Sequence, residues 1–60
     1  MDKKKMILDV LDKHKRLSTS KIASLISANQ YRTESLLEEL KKEKKVESSL
    51  TKQGMFWKLL

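Results

Sequence analysis

Sixty residues carry 14 lysines and arginines against 8 aspartates and glutamates, a formal charge of +6, dense enough on so small a body to make nucleic acid or another anionic surface the expected partner. The chain has no cysteine and one histidine, which excludes a disulfide framework or a thiolate metal site; its length predicts one domain of marginal stability, folded by its apolar residues alone. One glycine and no proline exclude a linker or low-complexity tail, and no apolar run approaches the roughly 18 residues that would cross a membrane.

Met1-Asp2-Lys3-Lys4-Lys5 is followed by a broken apolar segment rather than a signal-peptide core, so the expected location is cytoplasmic. Met6, Ile7, Val10 and Leu11 recur at helical spacing, with Leu8 at the margin. They predict a first helix over about residues 2–14. Asp2 supplies an N-cap, and Lys13, His14, Lys15 and Arg16 suit the negative end of the helix dipole. A short connection begins at Leu17. Ser18, Thr19 and Ser20 are all capping residues, one of which opens a second helix over about 19–27, with Ile22, Leu25 and Ile26 as its apolar stripe.

Ser27-Ala28-Asn29 separates this from a third helix over about 30–44, opened by Asn29. Thr33, Leu36, Leu37 and Leu40 form its inward stripe. The periodicity then changes from helical to alternating. Val46, Ser48 and Leu50 fall on one side of a strand, and Met55, Trp57 and Leu59 on one side of another. Thr51-Lys52-Gln53-Gly54 lies between them, with the sole glycine where a hairpin loop needs positive φ. The expected class is therefore α+β and mostly helical: three helices in a helix-turn-helix, with a C-terminal two-stranded hairpin at about 46–59 as a wing.

Ile22-Ala23, Leu37-Glu38-Glu39-Leu40, Lys44-Lys45-Val46 and the aromatic closing strand Met55-Phe56-Trp57-Lys58-Leu59 occur in this order without a gap. In these pieces and their spacing the chain resembles the winged helix-turn-helix superfamily over nearly its whole length. Two positions depart from the common pattern. Lys44 stands where glycine is frequent, and Thr33 where an aliphatic residue is usual. The Z-DNA-binding branch, which shares a tryptophan in the last strand, is a poor match. Its asparagine and tyrosine on the third helix correspond to Glu34 and Glu38 here, and the prolines before its tryptophan are missing.

The resemblance implies that the third helix enters the major groove. With Thr33, Leu37 and Leu40 inward, its outward arc carries Tyr31, Ser35, Glu38 and Lys42, flanked by Gln30 and Arg32. Arginine pairs with guanine and glutamine with adenine through two hydrogen bonds each. Asn29 and the start of the helix suit a phosphate. Lys52 and Gln53 at the wing tip reach the backbone or minor groove, and Lys3, Lys4, Lys5 and Lys21 clamp phosphates at the edges. Trp57 and Phe56 read as packing residues, one of which must face outward. Phe56 or Leu60, if exposed, is a candidate dimer contact.

The charge distribution complicates this. Residues 1–21 and 41–60 each carry net +4, whereas residues 22–40 carry net −2 because Glu34, Glu38 and Glu39 outnumber Arg32. Basic flanks favour a small sequence-reading or general DNA-binding protein, a transcriptional regulator that docks on double-stranded DNA, with useful specificity implying a homodimer or a larger assembly on paired half-sites. The acidic middle favours the alternative, a winged helix used as a protein–protein adaptor. There is no glycine-rich phosphate loop, no nucleophile beside a base and no metal-ligating cluster, so no enzyme activity, cofactor, metal or small-molecule substrate is expected.

Overall fold

The computed structural model describes residues 2–60. In chain order it has α1 (Lys3–His14), β1 (Arg16–Ser18), α2 (Thr19–Leu25), α3 (Gln30–Lys42), β2 (Val46–Thr51) and β3 (Gly54–Leu59). Each helix opens on a short polar side chain that accepts from an otherwise orphaned backbone N–H. Asp2 accepts from Lys4 N, Ser18 from Lys21 N and Asn29 from Arg32 N. Of the three capping residues before α2, Ser18 takes the role; Thr19 turns inward and is buried.

Both inner helices end without glycine, in left-handed residues. After α2, Ser27 has φ 57°, and after α3, Lys44 has φ 60°. In each case two backbone bonds fold the chain back over the last turn. Ala28 N donates to Ala23 O at 3.0 Å and Ser27 N to Ser24 O at 3.3 Å; Lys45 N donates to Leu40 O and Lys44 N to Lys41 O, both at 3.0 Å. This is the Schellman arrangement, and it stops α2 and α3 two residues short of the boundaries expected from periodicity.

The three strands form one antiparallel sheet in the order β1-β3-β2. β2 and β3 make the hairpin, in register Ser48↔Trp57, Leu50↔Met55 and Thr51↔Gly54. Gly54 at φ 121° closes the two-residue loop, a backbone conformation that favours glycine. The third strand, Arg16–Ser18, corrects the expectation of a two-stranded sheet, in which Arg16 flanks the first helix and Leu17 opens a short connection. Arg16, Leu17 and Ser18 pair with Lys58, Trp57 and Phe56. A three-residue strand has too few residues to show alternation. It forms because Leu17, placed opposite Trp57, buries its side chain in the core.

That core gathers Ile7 and Leu11 of α1, Leu17, Ile22 and Ile26, Leu36, Leu37 and Leu40 of α3, Val46 and Trp57. Thr33 joins it fully buried, its hydroxyl donating to Asn29 O at 2.9 Å. The buried indole of Trp57 donates from Nε1 to Thr19 Oγ1 at 2.8 Å, tying β3 to the first turn of α2. Three apolar residues that share a stripe or strand face with core residues are not enclosed. Leu25 is 39% exposed, Leu50 80% and Met55 41%. Leu25 lies at the last turn of α2, and the hairpin carries Leu50 and Met55 out beyond the helices. The assembly is a winged helix-turn-helix, with α2 and α3 as the helix pair and β2-β3 as the wing.

Candidate nucleic-acid interface

The inward turn of Thr33, Leu36, Leu37 and Leu40 fixes what α3 can offer. Residues four apart share a helix face, so the solvent side divides into stripes. One stripe holds Gln30, Glu34 and Glu38 and faces an open cleft of about 560 Å³, walled on its other sides by Ser18, Thr19 and Ser20 and by Gln53, Gly54, Met55 and Trp57. The next stripe around the helix holds Tyr31, Ser35 and Lys42. Tyr31 is 80% exposed, Lys42 is exposed and Ser35 is half-buried. Arg32 lies beyond it, exposed, on the side where Glu39 and Glu43 meet α1.

The structure brings Gln30 and Gln53 to the same cleft, from α3 and from the wing tip. Gln30 Oε1 accepts from Ser20 Oγ at 3.3 Å, which leaves its amide hydrogens free. Asn29 is exposed but its Oδ1 is occupied by Arg32 N at 2.7 Å, so it shapes the helix start from within. Lys21 projects from α2 and Lys52 from the wing loop, both exposed. The loop is stiffened by Thr51, whose Oγ1 donates to Gly54 O at 2.9 Å and accepts from Gln53 N at 3.1 Å.

Of the three N-terminal lysines expected to clamp phosphates, two are paired with groups of the same chain. Lys3 Nζ donates to the Ile26 carbonyl at 2.6 Å, satisfying the C-terminal end of α2, which has no basic residue in its own last turn. Lys4 Nζ lies 2.7 Å from Glu43 and 3.4 Å from Glu39, joining α1 to the end of α3. Its hydrogen bond to Glu43 is the main cause that holds the Lys4 ammonium above its ordinary pKa and the Glu43 carboxyl below its own. Lys5 is exposed.

Sequence reasoning put Glu38 on the outward arc and did not see that Glu34 and Glu38 share one cleft with Ser20 and Met55. The spacing of Gln30, Glu34 and Glu38 carries that grouping; the packing of the wing against it does not show in the sequence. Elsewhere, the Arg16 guanidinium sits over the Phe56 ring, 4.8 Å from its centroid, on the sheet face away from Trp57. Phe56 is thereby half-buried, and Leu60 is exposed. Among the described residues no group of acidic, histidine or cysteine side chains could hold a metal ion, and no helix is long and apolar enough to cross a membrane.

A family model described as FaeA-like protein matches residues 3–60. Curated proteins give no match. Among solved structures, this chain is similar to the Zalpha domain from Carassius auratus PKZ, crystallised in complex with Z-DNA. The TM-score is 0.89, with 21% identity over 97% of this chain and 92% of that one. At this identity the likeness is one of fold.

Proposed function

We propose that this chain, which belongs to the FaeA-like protein family, binds double-stranded DNA through the first turns of α3 and the tip of the wing, and acts as a transcriptional regulator. One observation carries the reading. Four residues of α3 are buried together, and this leaves Gln30, Tyr31 and Arg32 exposed at the start of the helix, with Gln30 sharing a cleft with Gln53 of the exposed Lys52-Gln53 loop. A rigid helix end with hydrogen-bonding side chains next to a basic hairpin is what groove docking requires. The excess of +6 supplies long-range attraction to phosphate. The crystallised complex of the Zalpha domain with Z-DNA supports DNA as the ligand class for this fold.

Action at such a site is docking, with no bond made or broken. Gln30, Tyr31, Arg32 and Ser35 meet base edges or the adjoining backbone. Lys21, Lys42, Lys52 and Gln53 hold phosphates. Lys5 adds diffuse attraction from the first turn of α1, and Asn29 keeps the start of α3 in shape. A single module of this size touches few base pairs, so we further propose that two copies occupy paired half-sites.

The test is anisotropy titration of a labelled random duplex at two salt concentrations. A DNA-binding protein loses affinity steeply as salt rises, because each phosphate contact releases counterions. A flat response in the millimolar range at low salt would overturn the proposal and leave the adaptor reading, which the acidic cleft of Glu34 and Glu38 favours.

A further inference from the structure

The three glutamates of α3 and its C-cap residue Glu43 divide into two pairs. Glu39 and Glu43 are held by Lys4 at 3.4 and 2.7 Å. Glu34 and Glu38 line the cleft beside the wing, and neither forms an ion pair among the described residues of a chain with 14 lysines and arginines. They stand four residues apart, a like-charged spacing that weakens a helix, and both are exposed. On a surface offered to phosphate they also repel the ligand.

Carboxylates in a reading surface have one favourable partner class. They only accept hydrogen bonds, and in the major groove the donors are the amino groups of cytosine and adenine, whereas guanine and thymine present acceptors at the corresponding places. Gln30, one turn earlier on the same stripe, has its oxygen taken by Ser20 and keeps its amide hydrogens. It therefore donates, and suits purine N7. Four residues of helix rise about 6 Å, close to two base-pair steps. Glu38 lies one turn further from the helix start.

We propose that Glu34 is a specificity-determining residue that accepts from the N4 amino group of a cytosine about two steps from a purine met by Gln30, while Glu38 opposes the phosphate backbone and suppresses binding to unrelated duplex. This rests on the DNA-binding reading. It makes the acidic middle of the chain a filter: attraction from the flanks is general, and release from repulsion depends on the base.

Both side chains are exposed, so the full chain is compared with Glu34→Gln and Glu38→Gln after circular dichroism confirms their helix content. Each protein is used to enrich a randomised duplex library, and its affinity for a single random duplex is measured by anisotropy. The wild type is expected to enrich a site with a fixed cytosine. Glu34→Gln shifts that position toward adenine, because a glutamine amide matches adenine N6 and N7. Glu38→Gln keeps the site and binds random duplex at least about threefold more tightly at low salt. Identical sites from wild type and Glu34→Gln would overturn the role of Glu34, and unchanged random-duplex affinity in Glu38→Gln would overturn that of Glu38. A wild type that binds duplex without base preference sinks this inference and leaves the DNA-binding reading standing. One that binds no duplex at low salt sinks both.

Discussion

Thr19 shows how much one side chain can carry without announcing it. In the sequence it is one of three capping residues and the cap falls to its neighbour Ser18. In the structure its hydroxyl accepts the only hydrogen bond of the buried Trp57 indole, across 38 positions of chain. A lone buried N–H costs far more than an exposed one, because nothing replaces its lost water. Thr19→Val keeps shape and removes the acceptor, so we expect a loss of about 1–3 kcal/mol. In a urea melt this is a lower midpoint with an unchanged slope, and Thr19→Ser should recover most of it. A Thr19→Val midpoint equal to wild type would mean that the indole finds another partner. Thr33 teaches the converse. It stands where an aliphatic residue is usual, yet it is fully buried, since its hydroxyl donates to the Asn29 carbonyl one turn back and leaves its methyl to pack.

At the scale of elements, helix starts were legible and helix ends were not. Asp2 and Asn29 cap where their residue types say, because capping needs only one short side chain at one place. The ends depend on a left-handed residue, and Ser27 and Lys44 give no sign of it. Such a conformation costs a side-chain-bearing residue about 1–2 kcal/mol, partly offset by the freedom that glycine loses on folding. Lys44→Gly should therefore stabilise the fold by roughly 0.5–1 kcal/mol, read as a higher melting temperature. A lower one would show that the Lys44 side chain contributes more than its backbone costs.

The join between α1 and α3 makes a second prediction at this scale. Glu43 has its pKa lowered from the ordinary 4.5, so its contribution is present above that pH and is lost as pH falls through the folded value. Lys4 has its pKa raised above 10.5, so its contribution is present below that pH and is lost as pH rises through the folded value. The difference in melting temperature between wild type and Lys4→Met should thus be steady between about 4.5 and 10.5 and shrink on either side. It will be small, because the pair faces solvent. A difference that persists well below the glutamate range would assign the effect of Lys4 to packing of its stem.

For the whole molecule, the order of three helices and a wing was readable because each helix opens on a capping residue, the period changes from helical to alternating at Val46 and the one glycine marks the hairpin loop, while the pairing of Arg16–Ser18 with β3 is a long-range event that no local pattern encodes. The same holds for the lysines. Identical in sequence terms, they are sorted by where the fold sends them: Lys3 and Lys4 to partners within the chain, Ile26 and Glu43, and Lys21, Lys42 and Lys52 out to solvent. This sorting predicts a countable salt dependence. If Lys21, Arg32, Lys42 and Lys52 each meet one phosphate, the logarithm of affinity should fall with the logarithm of salt at a slope of about −3.6 per copy. Arg32→Ala or Lys52→Ala should each reduce its magnitude by about one and weaken binding across all sequences. Lys4→Met should leave the slope alone, since its ammonium is already neutralised by Glu39 and Glu43. The long axis of 33 Å covers about ten base pairs at most, so two copies on adjoining half-sites would double the slope, and the ratio measured on one- and two-site duplexes reports the assembly. Should Lys4→Met lower the slope as far as Lys52→Ala does, the surface that meets DNA would lie on the α1 side of α3 rather than beside the wing.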